Sequence, residues 1–133
     1  MKVIQLSGSL AVSEQISVAD VATIAAAGFK VLINNRPDHE VADQPTSEEI
    51  AVAAQVAGLV YYHLPVTAEN FPGPHIEKMA GLIDNPDSPA LAFCRSGTRC
   101  TNLWIETRSD EHRDVSVATA RQLGFDLSMA IRY

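Results

Sequence analysis

The sequence predicts an α/β fold: a mainly parallel central sheet of four to five strands flanked by helices. Three observations carry that expectation. Apolar, β-rich runs alternate with segments of helical spacing. Two of these runs, Val31-Leu32-Ile33 and Leu91-Ala92-Phe93, are apolar at successive positions, as suits strands covered by helices on both faces. Helix start signals and stopping glycines fall between the runs.

The first strand is expected over Lys2 to Leu6. Ser17-Val18-Ala19-Asp20 reads as a capping box, opening a helix that runs to Ala27 and stops at Gly28. Phe29 to Asn34 follows as a strand. Thr46-Ser47-Glu48-Glu49 is a second box, for a helix ending near Gly58, and its two Glu residues sit where the helix dipole favours them. Leu59 to Val66 is the third strand, His75 to Ile83 a helix closed by Asn85-Pro86, and Ala90 to Cys94 the fourth strand. Thr101 to Thr107 reads as a helix with the only tryptophan, Trp104. The charged stretch Arg108 to Asp114 reads as a loop, and Val115 to Leu123 as a last helix stopped at Gly124. No internal repeat, low-complexity tract or linker divides the 133 residues, so one domain spanning 1–133 is expected.

Composition narrows the function. The hydrophobic fraction is 47% and the charged fraction 20%, ordinary for a globular chain. The net charge of −6, with no Lys/Arg run, argues against nucleic acid or an anionic membrane as partner, because both need a basic face. No apolar run approaches the roughly 20 residues that span a bilayer, and Met1 to Leu6 lacks the features of a signal peptide. Two cysteines make no disulfide framework, so a cytoplasmic setting with free thiols is expected.

The chemistry concentrates at Cys94-Arg95-Ser96-Gly97-Thr98-Arg99. In an open α/β sheet, ligands collect beyond the carboxyl ends of the strands, and Cys94 lies at such an end. Backbone N–H groups entering a helix bind anions, and Gly97 lets the chain curl inward. The same dipole and Arg99 favour thiolate, since cysteines so placed ionise at about 3.5–7.5 rather than about 8.5. An isolated cysteine after an apolar strand would read as packing. Two arginines, a glycine and two hydroxyl residues in the next five positions point instead to a nucleophile in an anion-binding bowl. Cys94 and Arg99 are therefore the catalytic candidates, and Arg95, Ser96, Gly97 and Thr98 the substrate-binding ones. Arg36, after the second strand, is placed to hold a donor's anionic group with Asp38 to fix it; a plain turn with a surface ion pair is the alternative. The four histidines have no metal-site spacing, and His63 reads as a satisfied strand residue; neither metal nor cofactor is expected.

Followed by Leu103-Trp104, this loop resembles that of the beta-lactamase hydrolase-like family, small bacterial domains with a fold like that of dual-specificity phosphatases. Ile33-Asn34-Asn35-Arg36-Pro37-Asp38 matches a second signature of the family. Tyr62-His63-Leu64-Pro65-Val66 and the tail Ala120 to Ser128, with Gly124-Phe125-Asp126-Leu127, are similar as well. The resemblance covers nearly the whole chain and implies one of two activities, phosphatase or sulfurtransferase. Arg99 comes one position earlier than the arginine of cysteine phosphatases, and Phe93 stands where those enzymes usually carry histidine. The spacing is that of a rhodanese loop. A phosphatase also needs a general acid, typically an Asp on the loop after the preceding strand. Val66-Thr67-Ala68-Glu69-Asn70 offers no Asp, with Glu69 slightly off the expected place.

Sulfur transfer through a Cys94 persulfide is thus the leading expectation, with a small-molecule sulfur donor and acceptor. The alternatives are a cysteine phosphatase acting on a phosphoester, and a non-catalytic sulfide- or anion-binding partner of a persulfide dioxygenase. Related domains are fused to metallo-β-lactamase-like dioxygenases, whereas this chain has no His-x-His-x-Asp-His segment; a separate dioxygenase is therefore an expected partner. Cys100 stands where the family usually has Ser. It is expected either as an inert packed residue or as a resolving thiol for Cys94.

Overall fold

The computed structural model describes residues 1–131. Its elements are β1 (Val3–Gln5), β2 (Leu10–Ser13), α1 (Val18–Ala26), β3 (Val31–Asn34), α2 (Ser47–Ala57), β4 (Val60–His63), α3 (Ile76–Leu82), β5 (Ala90–Phe93), α4 (Thr98–Glu106) and α5 (Asp110–Gln122). The five strands form one sheet in the order β1-β2-β5-β3-β4. Only the β1–β2 pair is antiparallel; β2–β5, β5–β3 and β3–β4 are parallel. The mainly parallel α/β expectation holds.

Both capping boxes form. Ser17 Oγ accepts from the Asp20 N–H while the Asp20 carboxylate takes the Ser17 N–H, and Thr46 and Glu49 repeat the exchange at α2. Each box satisfies two of the four amides that a helix start leaves open. Helix α2 stops at Gly58, whose φ of 81° a side chain would resist.

The successive apolar residues of β3 and β5 do face two layers. Leu32, Leu91 and Phe93 pack with Ile16, Val21, Ile24, Ile50 and Ala54 beneath α1 and α2. Val31, Ile33, Ala90, Ala92 and Cys94 turn the other way, towards Met79 of α3 and Cys100, Leu103 and Trp104 of α4. Side chains alternate across a strand, so burying both sets requires helices on both faces. The parallel register puts Ser13, Asn34, His63 and Phe93 at the same carboxyl edge, which is where Cys94 begins its loop.

Four expectations fail. Leu10–Ser13 is an interior strand, fully buried, that went unread because four residues after a serine-rich turn carry too little pattern. Helix α4 begins at Thr98 rather than Thr101, so the loop feeds straight into it. The charged stretch read as a loop is largely helix: α5 starts at Asp110, with Ser109 at its N-cap and Asp110 and Glu111 in its first turn. Its first turn is an exposed face, so no apolar periodicity betrayed it. The third strand also ends at His63, with Leu64 to Val66 continuing as coil.

Candidate active site

Strand β5 delivers Cys94 to the sheet's carboxyl edge, and Gly97 bends the next residues around its sulfur. Gly97 sits at φ 86°, the left-handed region, and is the N-cap of α4. Its N–H donates to Cys94 Sγ at 3.1 Å. The loop is held from behind by Thr101, whose N–H and hydroxyl both donate to Gly97 O, at 3.0 and 2.9 Å. On the rim, Ser96 Oγ donates to Thr98 Oγ1 at 3.0 Å, while the Arg95 side chain is exposed and its carbonyl accepts from the Gln15 N–H.

Cys94 is fully buried yet acidic, its pKa lowered to about 5. The largest cause is the Cys100 thiol, which donates to the thiolate. Burial opposes it, and the amides of Cys100 and Ser96 and the charge of Arg99 act with it. Cys100, in the first turn of α4 and wholly buried, is driven the other way by desolvation and by the neighbouring thiolate, so it stays a thiol. Near neutral pH the pair is one thiolate and one hydrogen-bond donor.

The arginines are organised by a residue the sequence reading did not single out. Glu40 receives Arg99 in a two-pronged ion pair, Nη2 to Oε1 at 2.7 Å and Nη1 to Oε2 at 2.8 Å, and takes Arg36 Nε on Oε1 at 2.8 Å. Arg99 Nη1 also reaches Val66 O at 3.1 Å, and Arg36 Nη1 reaches Gln15 Oε1 at 3.1 Å. Arg99 comes first among the groups that hold the Glu40 carboxyl below its usual range. Just before Glu40, His39 takes φ 65°, a costly conformation for a side-chain residue, and there the chain turns. The sequence signal was available: Glu40 lies four residues after Arg36, an acidic residue in the same short loop.

The other candidates divide. Arg36 is buried, with its N–H on Asn34 Oδ1 and its carbonyl bonded to His63 Nε2 at 2.8 Å, so the satisfied-histidine expectation for His63 holds. Asp38 does not fix Arg36. Its Oδ1 accepts the Ser47 N–H at 2.8 Å, serving the first turn of α2, because Glu40 already fills the place on Arg36. Glu69 is exposed in the turn after Val66 and makes no hydrogen bond among the described residues. No three His, Cys, Asp or Glu side chains converge as a metal set among the described residues. A cavity of about 340 Å³ opens beside the loop, walled by Arg95, Ser96 and Gly97 with Lys2, Glu14 and Phe125; Cys94 itself is not part of its wall.

Residues 3–110 match the family described as beta-lactamase hydrolase-like protein, phosphatase-like domain. The chain belongs to this family. A beta-lactamase hydrolase-like protein of Xylella fastidiosa is 30% identical over 136 residues; all of this chain aligns, but it spans only 32% of that relative. A crystal structure from Neisseria meningitidis, provisionally named a phosphatase, is 36% identical, with a TM-score of 0.81 over 96% of this chain and 92% of that one. The kinase associated phosphatase, at 13% identity, superposes with a TM-score of 0.67 over 98% of this chain and 85% of its own, which speaks to fold alone. The domain is a cysteine-phosphatase-like one, with the architecture of the dual-specificity and tyrosine phosphatases. No helix among the described residues is long and apolar enough to cross a membrane.

Proposed function

We propose that this domain is a thiolate enzyme that moves a sulfane sulfur through a persulfide on Cys94. The observation that carries the reading is the enclosure of the nucleophile. Cys94 has no exposed surface inside its six-residue loop, and no carboxylate of the described residues is among the groups that shift its ionisation. A phosphoryl group brings three oxygens that all need amide donors, and an alkoxide leaving group that needs a proton. A sulfane sulfur is a single atom, and its leaving group, a thiolate or sulfite, departs unprotonated.

In the first step the Cys94 thiolate attacks the donor's outer sulfur. The new S–S bond forms as the donor's S–S bond breaks, and the donor leaves with the electron pair. The Gly97 amide and the Cys100 thiol, which hold the thiolate, are placed beside the sulfur that becomes the inner atom of the persulfide. In the second step an acceptor thiolate takes the outer sulfur and Cys94 is regenerated.

Hydrolysis of a phosphoester is the second reading, and the comparisons favour it. The family description says phosphatase-like, and the Neisseria relative is provisionally named a phosphatase. On that reading Cys94 carries a phosphoryl group and Glu69 is the acid nearest at hand in sequence. One experiment separates the two: sulfur transfer from thiosulfate and glutathione persulfide, measured beside hydrolysis of p-nitrophenyl phosphate, with Cys94→Ser as control. Cys94-dependent sulfur transfer well above phosphate release is the expected result. Comparable or faster phosphate release would hand the function to the second reading.

A further inference from the structure

Cys100 forms no covalent bond in the transfer steps above, yet it shares the core with the reacting sulfur. The side chain is wholly buried in the first turn of α4, where only the short loop separates it from the nucleophile. That loop is doubled back on itself, with the Gly97 amide on Cys94 Sγ and Thr101 bound to the Gly97 carbonyl. The chain therefore brings the beginning of α4 over the end of β5, and both sulfurs enter the same core layer with Ala92, Leu103 and Trp104. Among the described residues Cys94 and Cys100 are the only cysteines, and both are free.

We propose that Cys94 and Cys100 form a redox pair, in which Cys100 resolves oxidised Cys94 into an intramolecular disulfide. The oxidant is a hydroperoxide. The Cys94 thiolate attacks a peroxide oxygen; the S–O bond forms, the O–O bond breaks, and hydroxide or alkoxide leaves with the electron pair. This gives a sulfenic acid on Cys94. The Cys100 sulfur then attacks Cys94 Sγ, its proton goes to the departing hydroxyl, and water leaves as the S–S bond closes. Two thiols have been oxidised by two electrons and one peroxide reduced. A dithiol reverses the closure.

The environment divides the labour. Cys94 is the thiolate and reacts first, whereas Cys100, equally buried, is held as a thiol and follows. Closing the pair removes the nucleophile from service and spares it the irreversible sulfinic and sulfonic states. The pairing is independent of whether Cys94 takes up sulfur or phosphate, so it stands or falls separately from the proposed function.

The test reads thiols, not turnover. Reduced protein is treated with one equivalent of hydrogen peroxide, the remaining thiols are blocked, and the chain is digested with trypsin. Cleavage after Arg95 and Arg99 puts the two cysteines on separate peptides, residues 79–95 and 100–108. The expected result is these two peptides joined, at the loss of two hydrogens, and freed by dithiothreitol. Cys100→Ser and Cys100→Ala, each checked for a cooperative melt, supply the second arm. After about ten equivalents of peroxide, enough to carry an unresolved sulfenic acid on to sulfinic acid, and then dithiothreitol, alkylation of Cys94 by iodoacetamide should recover in the wild type. It should stay at about a tenth or less of its starting value in either variant. Wild-type protein that yields sulfinic acid on Cys94 with no joined peptide would overturn the proposal, as would equal recovery in the variants. The wild-type arm decides the matter even if neither variant folds.

Discussion

Replacing Cys100 by Ala tests how the thiolate is held. The Cys100 thiol is the largest of the groups that bring Cys94 down to about 5, ahead of the amides and of Arg99. A hydrogen bond to a charged acceptor contributes about 1.5–3 kcal/mol, and about 1.4 kcal/mol corresponds to one pH unit of ionisation. Removing the donor should therefore move the midpoint of Cys94 ionisation from about 5 to between about 6 and 7. The assay is the rate of iodoacetamide alkylation of Cys94 against pH, since only the thiolate reacts. Cys100→Ser is the companion variant: its hydroxyl keeps a donor, so its midpoint should stay nearer the wild-type value. A midpoint unchanged in the Ala variant, or shifted equally in both, would refute the idea that the neighbouring thiol, rather than the loop amides, sets the acidity.

Other perturbations follow from the same contacts. Glu40→Ala leaves buried Arg36 with only Gln15 on its guanidinium and frees Arg99 to swing, so urea unfolding should show a loss of about 2–4 kcal/mol. Glu40→Asp, which keeps the charge but shortens the reach, should lose less. Gly97→Ala forces a side chain to φ 86° at the loop's bend, where a Cβ would sit 3.5 Å from Ser13 O. It should cost about 1–2 kcal/mol of stability in a thermal melt and raise the alkylation midpoint, because the strain falls on the amide that holds the sulfur. Cys94 also ties stability to pH. Its folded pKa of about 5 lies below the unfolded value, so its contribution is fully present above about 8.5 and is lost as the pH falls through about 5. The stability difference between wild type and Cys94→Ala should therefore shrink by about 2–3 kcal/mol between pH 7 and pH 4, read from urea titrations. A difference that grows towards acid would reverse the sign of this argument.

What the sequence revealed followed from how local each signal is. The capping boxes at Ser17 and Thr46, the stop at Gly58 and the doubly apolar strands at 31–33 and 91–93 are written within a few residues, and all appear as read. The curl of the chain around the Cys94 sulfur was legible for the same reason, since Cys94, Gly97 and Arg99 lie within six residues. Strand β2 was not, because its meaning comes from β5 beside it, which supplies the parallel partner. The beginning of α5 hid behind its own charges, although Ser109 followed by Asp110 and Glu111 was a usable start signal. In the site, Arg36 was found but given the wrong partner. Asp38 is the nearer acid in sequence, while the turn at His39 is where the chain doubles back to give Glu40 that place. Contacts between loops that are remote in sequence, such as Arg99 with Glu40 and Val66, leave no local pattern to read.

The most direct test of the central claim is the intact mass of the reduced protein after brief exposure to thiosulfate, followed by tryptic mapping. A gain of one sulfur atom on the peptide bearing Cys94, absent in Cys94→Ser and removed by cyanide as thiocyanate, is the expected result. No sulfur adduct from thiosulfate, together with a phosphoryl adduct on Cys94 trapped by acid quenching from p-nitrophenyl phosphate, would contradict it.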